Sequence, residues 1–175
     1  RVLFRSEEVL TQLGHSATDE LNRLLRTLGT HYSGEAFVNS LLRPLNLWLR
    51  HDDRPGAALR LARFHTAVLH HAGRVMALSE RQKSVPIFLE TASTTDETEI
   101  WLEAIRLTGQ GCRVELSPNV THVPAVPTRN YEHHLVWCGA GISRDMKQHF
   151  IRKREQDYPV MLCGTNTQEC VFPLT

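Results

Sequence analysis

The sequence is poor in the features that usually announce a function. It holds no apolar run long enough to span a bilayer, which takes about 20 consecutive apolar residues, and no signal-peptide pattern. The formal net charge is only +1, so the electrostatic footprint of a nucleic-acid binder, a basic stripe with a high pI, is missing. Cysteine and histidine follow no C-x-x-C or H-x-x-x-H spacing, which removes the common zinc signatures. His70-His71 and His133-His134 are adjacent pairs. Neighbours on a helix or strand point apart, so each pair offers one usable ligand, and solvated or capping histidines are expected. Cys112, Cys138, Cys163 and Cys170 lie mostly in or beside apolar runs and read as reduced core thiols. By default the protein is placed in the cytoplasm.

What is present is an ordinary globular composition, 41% hydrophobic and 22% charged over 175 residues, enough for one domain or two small packed subdomains. Arg1 to Ser6 fits nothing that follows and resembles the translation of a sequencing-library adapter, so residues 1–6 are set aside and the natural chain is expected to continue upstream.

The stretch from Val85 to Val114 organises the rest. Val85 to Leu89 is an apolar run bounded by Ser84 and Glu90, and reads as a buried strand. A polar turn, Thr91 to Asp96, leads into an amphipathic segment from Glu97 to Thr108 that stops at Gly109, and Cys112 to Leu116 reads as a second strand. Strand, crossover helix and strand form the unit from which open α/β sheets are wound. A ligand of such a sheet lies beyond the carboxyl end of the first strand, which here means Thr91 to Glu99.

Upstream, the spacing predicts helices. A short piece covers Glu7 to Leu13, and a second helix runs from Ser16 to a closing Gly29 with Leu21, Leu24, Leu25 and Leu28 on one side. A third spans Gly34 to Arg50, kinked at Pro44. The longest enters through Pro55 and reaches about Gln82, with Ala58, Leu61, Ala62, His65, Leu69, Ala72, Val75 and Met76 on its apolar face. Downstream, the prolines at 118, 124 and 127 predict an irregular connection over Ser117 to Asn130. His134 to Cys138 is a third strand, Gly139-Ala140-Gly141 turns into a helix from Ser143 to about Tyr158, Val160 to Cys163 is a fourth strand, and Val171 to Leu174 a fifth. The expected fold class is α/β: an N-terminal four-helix bundle over residues 7–83, then a small, partly degraded Rossmann/flavodoxin-like parallel sheet over residues 84–175.

A helical bundle feeding a doubly wound α/β domain resembles the cobalamin-binding module of methionine synthases and of light-sensing MerR-type transcription regulators. Asp96 to Leu116 (DETEIWLEAIRLTGQGCRVEL) and Leu135 to Gly139 (LVWCG) resemble the C-terminal effector half of the MerR-like regulator of curli production and its relatives. The resemblance implies a sensor or interaction domain whose DNA-binding winged helix lies outside this sequence. It also implies a cobalamin-binding-like frame. In the cobalamin-binding relatives a D/E-x-H-x-x-G motif supplies the lower cobalt ligand. The corresponding run here is Glu97-Thr98-Glu99-Ile100-Trp101-Leu102, with Glu99 in the histidine position and Leu102 in the glycine position. His65 stands close to where the upper ligand falls, but beside Phe64 rather than a glutamate, and Trp48 stands about one turn early.

The expectation from these residues is a non-catalytic effector domain with no cofactor, in which His65, Trp48, Glu97, Glu99 and Trp101 line a cleft. The alternative is a domain holding cobalamin or another flat tetrapyrrole under His65, without a lower ligand. A third is an enzyme with a nucleotide site at Gly139 to Ser143. Glu97 and Glu99, as first-turn carboxylates, favour the helix dipole over acid–base work. Arg152, Lys153 and Arg154 complement the far end of the last helix in the same way, and Trp137 is expected in the core. The partners implied are the regulator's own DNA-binding part, a second regulator chain in a homodimer, and a protein or small-molecule effector.

Overall fold

The computed structural model of the chain describes residues 2–15, 18–92, 96–121, 133–139, 148, 151–152, 155 and 160–164. Helix α1 covers Val2–Leu13, so it starts before the expected Glu7 and includes an Arg5–Glu8 ion pair of 2.9 Å. Helix α2 is Thr18–His31. It runs past Gly29, which sits within the helix close against His71: a Cβ there would stand 3.1 Å from Cε1 of that ring.

The third helical run is continuous over residues 34–50 but changes its winding. Helix α3, Gly34–Ala36, is capped by Ser33, whose hydroxyl accepts from the Ala36 N–H at 3.1 Å. A π segment follows over Phe37–Leu42, closed by the Arg43 N–H bonding to Val38 O, and then helix α4, Arg43–Arg50. The expected disturbance at Pro44 therefore takes the form of a wider turn just before it, which accommodates a residue that has no N–H and whose ring crowds the carbonyl four positions back.

Helix α5 spans Ala57–Ser79 and begins after Gly56, at φ 83°, rather than at Pro55. Asp52 holds the α4–α5 turn, receiving Arg54 at 2.9 Å and Arg60 at 2.8 Å. The buried face of α5 is Phe64, Ala67, Val68, His71, Ala72 and Ser79. That corrects the expected stripe, since Ala58 and Ala62 are exposed and Leu61, His65, Leu69, Val75 and Met76 only half-buried.

Strand β1 is Val85–Ala92, helix α6 Glu99–Gly109, β2 Cys112–Thr121, β3 His133–Trp137 and β4 Val160–Cys163. The sheet is parallel throughout, in the order β2-β1-β3-β4. Two expectations change. β1 extends past Leu89 to take in Glu90 and Thr91, both buried, which the sequence suggested as boundary and turn. β2 continues into the expected irregular connection. Leu89 pairs with Leu116 but Thr91 with Val120, so β2 bulges around Pro118, and as an edge strand it tolerates the missing donor.

α6 joins the layers. Its Leu102 and Ile105 enter the core of the helices, with Val9, Leu25, Phe37, Leu49, Phe64 and Val68. Its Ile100, Ala104 and Leu107 enter the core on the sheet, with Ile87, Leu89, Val114, Leu135 and Trp137. The fold is thus mixed helix and a small parallel sheet, in line with the α/β expectation. The turn out of α6 needs Gly111 at φ 91°, the left-handed conformation common after a helix.

Gly34 and Gly109 let α3 meet the end of α6 backbone to backbone, since a Cβ on Gly109 would come within 2.8 Å of Gly34 Cα. Gly109→Ala is expected to destabilise the chain by ~1–3 kcal/mol, as an overpacked contact with no flexible side chain to yield. The urea midpoint of the variant checks this; a midpoint equal to wild type would show that the helices separate without cost.

Among the described residues Gln148, Ile151, Arg152 and Glu155 are helical. The expected fifth strand, the turn at Ala140-Gly141, and most of the helix from Ser143, with Lys153 and Arg154, lie outside the described residues.

Candidate functional site

The strand order reverses between β1 and β3, so the carboxyl ends of these two strands flank a switch point, the usual place for a ligand crevice in an open parallel sheet. Thr91 pairs with Trp137 at that end. Trp137 is buried as expected, and its ring is covered by the Arg43 guanidinium, 4.8 Å from the ring centroid.

Arg43 belongs to a polar cluster contributed by α4, α5 and the start of α6. Its Nε donates to Glu99 at 3.1 Å and its Nη2 to Glu103 at 3.4 Å, and it also donates to Asn39. Asn46, one turn on, donates to Asp96 at 2.7 Å and to Glu99 at 3.3 Å. Arg50, a further turn on, reaches Asp96 at 2.6 Å and the Thr98 hydroxyl at 3.2 Å. His65 Nδ1 shares a 2.9 Å hydrogen bond with the same hydroxyl. Glu103, almost fully buried, is gripped from its own helix by both arms of Arg106, at 2.7 and 2.8 Å. Burial pushes the Glu99 carboxyl above the ordinary carboxylate range, and Arg43 pulls it part of the way back.

The local sequence explains the arrangement. Asp96 Oδ1 accepts the Thr98 N–H at 3.0 Å and Asp96 O the Glu99 N–H at 3.3 Å, which folds the polar turn back and starts α6. Glu99 and Glu103 stand one helical turn apart, facing Arg43, Asn46 and Arg50 at matching spacing on α4.

Of the five residues proposed from sequence, the structure brings His65 and Glu99 into this cluster. Trp101 is half-buried and packs against both cores, between α6 and the helices as expected. Glu97 is exposed. Trp48 is 44% exposed and lies under Arg54, 4.9 Å from the guanidinium carbon to the ring centroid. Asp96 and Thr98 fall within the expected Thr91 to Glu99 stretch, whereas Arg43, Asn46, Arg50, Glu103 and Arg106 belong to no site expected from the sequence. Their signal was the complementary spacing of acids on one amphipathic helix and bases on another, inside faces otherwise apolar.

Two histidines expected to be solvated are buried. His134 Nε2 lies 2.5 Å from Glu90 Oε2 across β1 and β3, on the sheet face opposite Leu89 and Leu135. His71 is 4% exposed. Burial first, then the charges of Arg74, His70 and Arg26, lower its pKa from 6.5 to about 4. Among the described residues no group of three or more His, Cys, Asp or Glu is placed to hold a metal, and no helix is long and apolar enough to cross a membrane. Cys112 is a half-buried free thiol, and the Sγ of the buried Cys138 lies 3.6 Å from Val136 O.

Comparison with known proteins places the stretch from β1 to the first residue of β4 in a class: it is similar to the C-terminal domain of a transcriptional regulator. The family model matched, over residues 85–160, is that of the transcriptional regulator MlrA, C-terminal domain. The match supports a regulator C-terminal domain. No curated protein and no solved structure matches the chain.

Proposed function

We propose that this chain is the non-catalytic effector part of a MerR-like transcription regulator, built on a cobalamin-binding-like frame whose cofactor crevice is filled by its own side chains. The observation that carries this is the cluster over Trp137. Arg43 stands on the ring, and Glu99, in the position of the family's cobalt-binding histidine, is engaged by Arg43 and Asn46. The position of the family's glycine is Leu102, fully buried in the core of the helices, where a corrin tail finds no room. A carboxylate committed to two donors is also a poor partner for cobalt. These residues do not fit the cofactor.

In this reading DNA is contacted by a DNA-binding part of the regulator outside this sequence, and the effector part acts through the pairing of two regulator chains. A protein or small molecule that binds one pairing better than the other shifts the population, and with it the spacing of the DNA-binding parts. The ion pairs of Arg43 with Glu99 and Glu103 tie α4 to α6, the helix that also packs on the sheet.

The test is an absorbance titration, in the dark, with hydroxocobalamin and adenosylcobalamin, beside a His65→Ala variant. The expected result is no saturable shift and no co-elution with either corrinoid. A saturable shift that disappears in His65→Ala would replace this reading with a cofactor-dependent sensor.

A further inference from the structure

At the end of the helices away from the crevice, the closing turns of α2, α5 and α6 and the start of α3 line a solvent-open cavity of about 370 Å³. That lies within the range of small-molecule pockets, roughly 300–1,000 Å³. Tyr32, Phe37, Val75 and Ile105 give it aromatic and aliphatic walls, and no Asp, Glu, Lys or Arg lines it. His71 and Thr108 also line it. The His71 Nδ1 and the Thr108 hydroxyl oxygen are both buried and find no hydrogen-bond partner among the described residues. An unmatched buried polar atom costs stability, so each one in a fold calls for an explanation, of which a bound molecule is one, and here Ser33, Ser79 and Gln82 add further polar groups to the wall.

We propose that this cavity binds a small, uncharged, planar heteroaromatic molecule carrying one N–H or O–H donor, with the His71 imidazole as acceptor. The imidazole is neutral at pH 7, so one of its nitrogens offers a lone pair. Its ring stands 5.2 Å from that of Phe37, tilted by 57°, and the two form an aromatic corner for a flat ligand. A charged ligand would enter walls that hold no counter-charge. Gly29 sets the room available, since a Cβ there would stand 3.1 Å from Cε1 and 3.3 Å from Nε2 of the same imidazole. The site is independent of the crevice at the carboxyl end of the sheet, and of the regulator reading.

The test uses the whole chain with indole as probe and 1-methylindole, which lacks the donor, as control. Binding is followed by saturation-transfer NMR and by the ¹⁵N shifts of the His71 ring. Indole is expected to bind saturably and move a His71 nitrogen, and 1-methylindole to bind about tenfold more weakly, the worth of one hydrogen bond to a buried group. His71→Leu should abolish the difference between the two probes. Gly29→Ala, which suits a helix better than glycine and so preserves the fold, should weaken both by crowding the ring. No saturable binding, equal binding of the two probes to the wild type, or unchanged binding in Gly29→Ala would each overturn the proposal.

Discussion

Arg43→Ala is expected to destabilise the chain by ~2–3 kcal/mol, somewhat below the ~3–5 kcal/mol for removing one partner of a fully buried ion pair. Arg43 serves two carboxylates and the face of Trp137. Glu103 would keep Arg106, which limits the loss, whereas Glu99 would be left with the Asn46 amide beside an Asp96 charge. Arg43 is itself 18% exposed, which further screens the pair. Arg43→Lys should fall between, because an ammonium cannot hold two carboxylates in a fork or stack on an indole as a guanidinium does. The double variant Arg43→Met with Glu99→Gln should recover most of the loss, since the cost lies in an orphaned charge rather than in a missing attraction. Urea midpoints for wild type, Arg43→Met, Glu99→Gln and the double variant close the cycle. If Arg43→Ala cost less than ~0.5 kcal/mol, the value of a surface contact, the cluster would not be sealing the crevice.

The parts legible in the sequence are those fixed by local period. Val85 to Leu89, Cys112 to Leu116 and the run at 134–138 are short, apolar and bounded by polar or glycine-containing stretches; the first two lie wholly in strands and the third does so up to Trp137. The segment ending at Gly109 is amphipathic enough to be placed within two residues of its observed start. What local period cannot carry is a partner from another element. Glu90 looks like the end of a strand until His134 is set beside it. The α5 stripe was misplaced for a related reason: alanines and leucines lie all round that helix, so several stripes fit, and only contact with α2 and α6 selects the one through Phe64, Val68 and His71. The cluster at the start of α6 was half legible, because Glu99 and His65 stand out in the sequence while their partners Arg43, Asn46 and Thr98 come from other elements.

His71 makes the chain's stability depend on pH. Its pKa is about 4 in the folded protein against 6.5 when free. Between these values the unfolded chain binds the proton and the folded chain does not, so stability rises with pH through this window. The contribution is complete above pH 6.5 and falls away below it. A gap of this size corresponds to at most ~3 kcal/mol, of which ~2 kcal/mol should be gone by pH 5. Arg74 and His70 on its own helix and Arg26 on α2 disfavour the charged ring in addition to burial. Glu99 works in the opposite sense, since a carboxyl raised by burial contributes stability that is lost as pH rises through its folded value. The wild-type profile alone therefore mixes the two, and the difference from His71→Leu separates them. Leucine fills the same wall without the unpaired Nδ1, so the variant should match or exceed wild type at pH 7, by up to ~1 kcal/mol. Its advantage should then widen steadily as the pH falls to 5. Parallel profiles would mean that the imidazole gains a proton without unfolding, and that the wall of the cavity opens to water when it does.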